Sequence, residues 1–201
     1  NLGLENMKTK KRCRWCLGND LYETYHDLEW GVPVYDDETL FEFLILETFQ
    51  SGLSWITILK KRENFRAAFD QFNYSKIAKY TREDLESLFV NKGIIRHKLK
   101  IKAAVSNAQA FQKIQLEFGS FSSYFWHFTD GVPLKTIKKD SEHILSNTPL
   151  SEKLSKDLKI RGFKFVGSTT IYALMQATGM VNDHEVSCFR YNQLNSVGNN
   201  L

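Results

Sequence analysis

Cysteine and proline are both scarce in this chain, with three of each among 201 residues. An odd and small cysteine count excludes a disulfide-stapled scaffold, so the thiols are expected to be free or metal-bound in a reducing compartment, with the cytoplasm as the expected location. Pro33, Pro133 and Pro149 mark no proline-rich linker, and no repeat recurs at a solenoid period. No apolar run approaches the roughly 18 residues that span a bilayer, so no membrane partner is expected. No charged segment leads into an apolar stretch at the start, so secretion is not expected. Alternating strand patterns are almost missing: the best, Phe163–Val166, is too short to build a sheet.

What remains is a helix-rich globular sequence. The chain is 42% hydrophobic, 13% aromatic and 25% charged, which excludes a disordered chain or a collagen-like fibre. A chain this long buries roughly 70% of its unfolded surface and suits one large domain or a compact two-lobed unit. The reading is a flexible basic tail over residues 1–12, a single unit over 13–191, and a second flexible tail over 192–201. Met7 is a candidate start, with Asn1–Asn6 as an extension before it. A monomer is expected.

The net charge is only +4, with a pI near 8.9, but the basic residues cluster at Lys8–Arg14, Lys60–Arg62, Arg96–Lys102, Lys135–Lys139 and Lys153–Lys164. Each cluster by itself reads as a solvated helix face; several on one face would make a polyanion footprint.

Helical periodicity predicts an all-α fold. Asp36 and Asp37 precede an apolar helix over Glu38–Ser51, and Ser54 can cap Trp55–Arg62. Further helices are expected over Glu63–Phe72, Ser75–Lys79, from Thr81 with Asp84 in a capping pattern, Arg96–Phe118, Phe121–Phe128, Leu154–Ile160, Ser168–Thr178 ending at Gly179, and residues 182–189.

Three constellations carry chemistry. Cys13, Cys16 and His26 lie near the start, and His184 and Cys188 near the end. Zinc takes four Cys/His ligands tetrahedrally, and a His and a Cys four residues apart share one face of a helix. The N-terminal pair can be Cys13 with Cys16, at zinc-knuckle spacing, or Cys13 with His26; the alternative is ordinary buried cysteines and a core histidine. Glu47 interrupts the apolar stripe of its helix, between Phe43 and Leu44 and beneath Leu40, which is costly unless the carboxyl is paired or protonated. Trp15, Tyr22, Tyr25, Trp30 and Trp55 lie near it or near the cysteine–histidine set, and such rings either form core or make a slot for a flat cationic ligand. The stretch Lys92-Gly93-Ile94-Ile95-Arg96 reads as a short hairpin between two helices that can offer backbone N–H groups to phosphate, with Lys98 and Lys100 adding charge. Lys159–Gly167 is a second basic, glycine-bounded loop.

Taken together, the strings Tyr25-His26-Asp27-x-Glu29-Trp30-Gly31-Val32-Pro33, Leu46-Glu47, Ser51-Gly52-Leu53-Ser54-Trp55, Leu59-Lys60-Lys61-Arg62-Glu63, Gly93-Ile94-Ile95-Arg96-His97, Arg161–Gly167 and Val181-Asn182-Asp183-His184 closely resemble the 3-methyladenine DNA glycosylase I family over about residues 12–190. The resemblance implies a helix-hairpin-helix DNA glycosylase fold whose structural zinc site joins the N- and C-terminal segments through Cys13, His26, His184 and Cys188. It implies a base-binding and catalytic acid at Glu47, and a base pocket of Trp15, Tyr22, Tyr25, Trp30 and Trp55. DNA contacts fall at Gln50, Gly52 and Leu53 and at the hairpin Gly93, Ile94, Ile95 and Arg96. The implied reaction is base-excision hydrolysis of 3-methyladenine from double-stranded DNA, leaving an abasic site without strand cleavage and free 3-methyladenine as product. The family pattern does not require Cys16; Phe49-Gln50 stands in place of a glutamine pair, and Ser51 in place of alanine. The competing classes are a non-enzymatic zinc-stabilised DNA-binding module and a helical protein-interaction scaffold.

Overall fold

The computed structural model describes residues 10–136 and 145–196. Its helices are α1 (Asp20–Leu28), α2 (Asp37–Gln50), α3 (Trp55–Lys60), α4 (Arg62–Ala68), α5 (Tyr74–Ile77), α6 (Arg82–Phe89), α7 (Lys98–Phe118), α8 (Phe121–His127), α9 (Pro149–Ile160), α10 (Ser168–Ala177) and α11 (Phe189–Ser196). Single 3₁₀ turns lie at Arg14–Cys16 and Asp70–Phe72. The fold is thus mostly helical, and among the described residues no helix is long and apolar enough to cross a membrane. The sheet content is one parallel pair, β1 (Leu134–Lys135) on β2 (Val181–Asn182). The candidate strand Phe163–Val166 is instead a turn between α9 and α10, with Phe163 and Val166 anchored in the core.

Helix starts follow the capping chemistry. Asp36 accepts from the Thr39 amide, and Thr81 and Asp84 form a reciprocal capping box. Thr148 and Ser151 do the same ahead of Pro149, so α9 begins a turn earlier than its apolar period suggests. The last helix also differs from expectation: residues 183–188 are bends and turns, and α11 begins only at Phe189.

Helix α2 runs through the centre. Leu40, Phe41, Phe43, Leu44, Ile45, Leu46 and Phe49 are all buried, so apolar neighbours surround it. It packs against α3, α7, α8 and α10. Around it Phe65, Phe69, Phe111, Phe121 and Phe125 fill a phenylalanine-rich core, with Phe111 and Phe121 stacked at 4.3 Å. A buried residue of α2 such as Glu47 therefore has no route to bulk water unless a cavity opens beside it.

Both segments read as tails have ordered portions. Arg12 makes a bidentate bond to Asp27, and the Lys11 carbonyl accepts from the Phe189 amide, tying the two chain ends together. Residues 192–196 belong to α11, where Asn195 accepts from the Asn182 side chain. Residues 1–9 and 197–201, with Lys8 and the possible start at Met7, lie outside the described residues, as do 137–139 of the Lys135–Lys139 cluster.

Several other basic residues are used internally. Arg62 pairs with Glu29 and Glu42, Arg161 with Glu117 and Asp157, and Lys100 is buried. The positive surface is correspondingly smaller than the clusters suggested, because long basic side chains are drawn to carboxylates or carbonyls, mostly of other helices and, for Arg161, also one turn back along the chain.

Candidate functional site

A cavity of about 220 Å³ opens beside α2, lined by Trp15, Tyr22, Tyr25, Trp30, Glu47, Gln50, Trp55, Ala173 and Gln176. All five aromatic residues singled out from sequence meet here, with Glu47 among them. The 3₁₀ turn after Cys13 supplies Trp15, α1 supplies Tyr22 and Tyr25, its C-terminal extension Trp30, α2 Glu47 and α3 Trp55. Ala173 and Gln176 come from α10 and carry no signal in the sequence that distinguishes them from other helix positions; Gln176 is oriented by a 2.7 Å bond to Asp183.

Trp15 meets Tyr22 and Trp30 edge-on at 5.1 and 5.0 Å, while Tyr25 and Trp55 lie 5.6 Å apart. The polar atoms inside are short of partners: Trp15 Nε1, Tyr25 Oη, Glu47 Oε2 and Trp55 Nε1 are buried without a hydrogen bond. Four such atoms around one cavity are costly, since buried polar groups are nearly always paired. Burial pushes the Glu47 carboxyl up to about 8, which favours its protonated form at neutral pH. A flat ligand with positive charge or hydrogen-bonding edges would relieve both strains.

Behind the aromatic wall lies a second cluster. Cys13, His26, His184 and Cys188 are buried, with their ligating atoms within 4.8 Å of one another, and the group could hold a metal ion. Their orientation fits that role. His26 Nδ1 is bonded to Asp27 Oδ1 at 2.8 Å, which leaves Nε2 toward Cys188 Sγ, and Asp27 is itself gripped by Arg12. His184 Nδ1 is bonded to Asn182 Oδ1 at 3.0 Å, and its Nε2 is buried without a partner. Such outer-shell acceptors fix which ring nitrogen is offered to a metal. The Cys188 thiol is lowered to about 5 by the hydrogen bond from Cys13 and then by His26, while burial lowers His184 to about 3 and keeps it neutral. Cys16 is buried but stands outside the group, its thiol donating to the Cys13 carbonyl at 3.2 Å.

The helical argument for His184 and Cys188 does not hold, because the segment between them is a turn; a loop brings them together instead. The adjoining Gly31 explains the glycine in the Glu29–Pro33 string: its φ is +81°, and a Cβ there would sit 2.7 Å from His184 Cε1. The cluster and the cavity share walls, since His184 packs edge-on against Trp30 at 4.6 Å and His26 against Trp15 at 5.5 Å.

Gln50, Ser51, Gly52 and Leu53 form an exposed turn at the cavity mouth, with Leu53 38% exposed. Leu53 N–H donates to the Gln50 carbonyl at 2.7 Å, and Gly52 has φ +82°. The hairpin between α6 and α7 is organised by side chains: Gly93 N–H donates to Asn91 Oδ1, and its carbonyl accepts from Asn64. The Gly93 amide is therefore engaged within the hairpin, and the Ile94 side chain is a buried anchor in the core, while Lys92, Arg96 and Lys98 are exposed. His97 meets Phe165 edge-on at 5.9 Å, which sets the second basic loop beside the hairpin.

The chain is similar to known proteins over most of its length. The family model for methyladenine glycosylase matches residues 15–191. The chain is 48% identical over 181 residues to the DNA-3-methyladenine glycosylase 1 of Escherichia coli (strain K12), covering 90% of this chain and 97% of that protein. It is 45% identical over 177 residues to the DNA-3-methyladenine glycosylase of Haemophilus influenzae, covering 88% and 96%. Among solved structures, a 3-methyladenine DNA glycosylase I variant in complex with 3-methyladenine superposes with a TM-score of 0.86 at 36% identity, covering 89% of this chain and 96% of that one.

Proposed function

The chain belongs to the methyladenine glycosylase family, and from that premise we propose how its residues perform the excision of 3-methyladenine in base-excision repair. The observation that carries the reading is the aromatic cavity with Glu47 and three other unpartnered buried polar atoms. A base inside a duplex cannot enter such a cavity, so the nucleotide must first be flipped out of the stack. The rings of Tyr25 and Trp55 then flank the base, and Glu47 meets its polar edge.

Methylation at N3 makes the nucleotide cationic and weakens its bond to the sugar. Entry of that cation favours the ionised Glu47 and lowers the raised pKa, so the carboxyl gives up its proton as the cation arrives. Neutral adenine offers no such exchange and is rejected. The N-glycosidic bond then breaks, its electron pair leaves with the base and neutralises it, and water adds to the cationic sugar carbon, with the surplus proton released to solvent. No lysine is needed as a nucleophile, and the product is an abasic site in an intact strand together with free 3-methyladenine.

The supporting parts are read as follows. Residues 13–191 make the glycosylase unit, with α6, the turn and α7 as a helix-hairpin-helix that grips phosphates. Gln50, Gly52 and Leu53 enter the gap left by the flipped base. Cys13, His26, His184 and Cys188 would hold a structural zinc, which would fix the positions of His26 and His184 against Trp15 and Trp30. The enzyme is taken to be a cytoplasmic monomer whose three cysteines are reduced and form no disulfide.

The test is direct. Incubated with N-methylated duplex DNA, the purified protein should liberate 3-methyladenine, with strands that break only after alkali. Binding without base release would favour the non-enzymatic DNA-binding module. The grip has its own test: Arg96→Ala should weaken binding to methylated and unmethylated duplex alike and reduce the salt slope by about one unit or less. A loss confined to methylated DNA would contradict a sequence-blind anchor.

A further inference from the structure

Lys100 lies in the first turn of α7, among the residues whose charge the sequence pattern assigns to the hairpin's DNA face. The structure turns it inward. It is 6% exposed, and its Nζ donates to the carbonyls of Phe49 at 3.0 Å and Ser51 at 2.7 Å. These carbonyls belong to the end of α2, the helix that carries Glu47, which has no basic residue in its own last turn. The C-terminus of a helix carries partial negative charge and orphan carbonyls. A cation from another helix meets both needs here.

The Ser51 carbonyl has a further consequence. Ser51 has φ −48° and ψ 120°, Gly52 has φ +82°, and Leu53 N–H returns to the Gln50 carbonyl. This is a type II turn. It differs from type I mainly by rotation of the central peptide, with ψ near +120° rather than about −30° at the first central residue. The carbonyl of that central peptide is the one Lys100 holds. A Cβ built on Gly52 would meet nothing within 4 Å, so no neighbouring side chain restrains the turn tip at that point.

We propose that Lys100 is a positioning residue: by holding the Phe49 and Ser51 carbonyls it locks the Gln50–Leu53 turn in its type II form and couples that turn to the hairpin. The central amide at Gly52 then faces away from Lys100, on the exposed side where a duplex would lie. Lys100 makes no phosphate contact, and an ammonium committed to two carbonyls is unsuited to nucleophilic attack. The inference rests on the reading of this turn as the element that enters the duplex.

Lys100→Met removes the donor and keeps the apolar stem. On duplex containing 3-methyladenine, kcat should fall about tenfold while KM changes less than about threefold, the effect expected from losing a charge-assisted hydrogen bond. Affinity for free 3-methyladenine should stay within about twofold, and the salt slope of duplex binding should not change. The Gly52 amide resonance should shift and broaden. Gly52→Ala, which disturbs the same turn with Lys100 intact, should show the same split between kcat and free-base affinity. An unchanged kcat with an unchanged Gly52 resonance would overturn the proposal, as would a salt slope lower by about 0.9, the signature of a lost phosphate contact. If Lys100→Met does not fold, Lys100→Gln is judged by the same readouts. Failure of the parent protein to release base would count against the glycosylase reading, while the Gly52 resonance would still decide whether Lys100 holds the turn.

Discussion

Glu47→Gln should excise 3-methyladenine roughly 10- to 150-fold more slowly than the parent, the loss that follows from about 1.5–3 kcal/mol for a hydrogen bond to a charged group. Glutamine keeps the shape and one acceptor but cannot balance the cation. Free 3-methyladenine should bind more weakly, nonspecific duplex binding should stay nearly unchanged, and the protein should fold. A second signature comes from protonation. The carboxyl is held at about 8 in the folded chain against an ordinary 4.5, so the unfolded chain ionises first as pH rises. Stability from this group is full below 4.5, falls through the window up to about 8 and then levels, and Glu47→Gln should remove that part of the slope. Titrations with 3-methyladenine and adenine, beside unfolding curves across that window, check both. If Glu47→Gln binds and excises like the parent, the carboxylate is structural and the pocket assignment is wrong.

Cys188→Ser should lose about one zinc per chain and lower Tm by about 10 °C or more, because structural zinc contributes apparent binding energies of about 10–16 kcal/mol in small zinc domains and much of that is folding energy. Cys16→Ser should keep the metal, since its thiol stands outside the four-residue group. The loss should reach the pocket, because Trp15 and Trp30 lean on His26 and His184; base affinity of Cys188→Ser should fall with its metal content. Elemental analysis, thermal unfolding and base titration of both variants decide. Zinc lost from Cys16→Ser and retained in His26→Ala would overturn the ligand set.

The sequence by itself determined what depends on near neighbours along the chain. Helical periods and caps such as Asp36 and Thr81 are encoded within one or two turns, so most helices were legible and differ mainly at their ends; the exceptions are α1, which the periodicity did not predict, and the helix expected over 182–189, where the chain turns and α11 starts only at Phe189. The Glu47 anomaly was legible too, because an acid inside an apolar stripe needs no tertiary knowledge to stand out. Residue types also limited the metal chemistry, although Cys13 had two candidate partners until Cys16 was found turned to the Cys13 carbonyl and His26 turned to the cluster.

Only the tertiary structure decided which distant groups meet. His184 and Cys188 converge through a loop rather than a helix face, and Gln176 reaches the pocket from α10, held by an aspartate beyond the helix. The basic residues make the point most clearly. Arg62, Lys100 and Arg161 carry the same charge as Lys92 and Arg96, yet the first three are engaged by Glu29 and Glu42, by the end of α2, and by Glu117 and Asp157. A long flexible side chain goes where an opposite charge or an orphan carbonyl lies within reach, and that is set by how the helices pack rather than by the residues beside it in the chain.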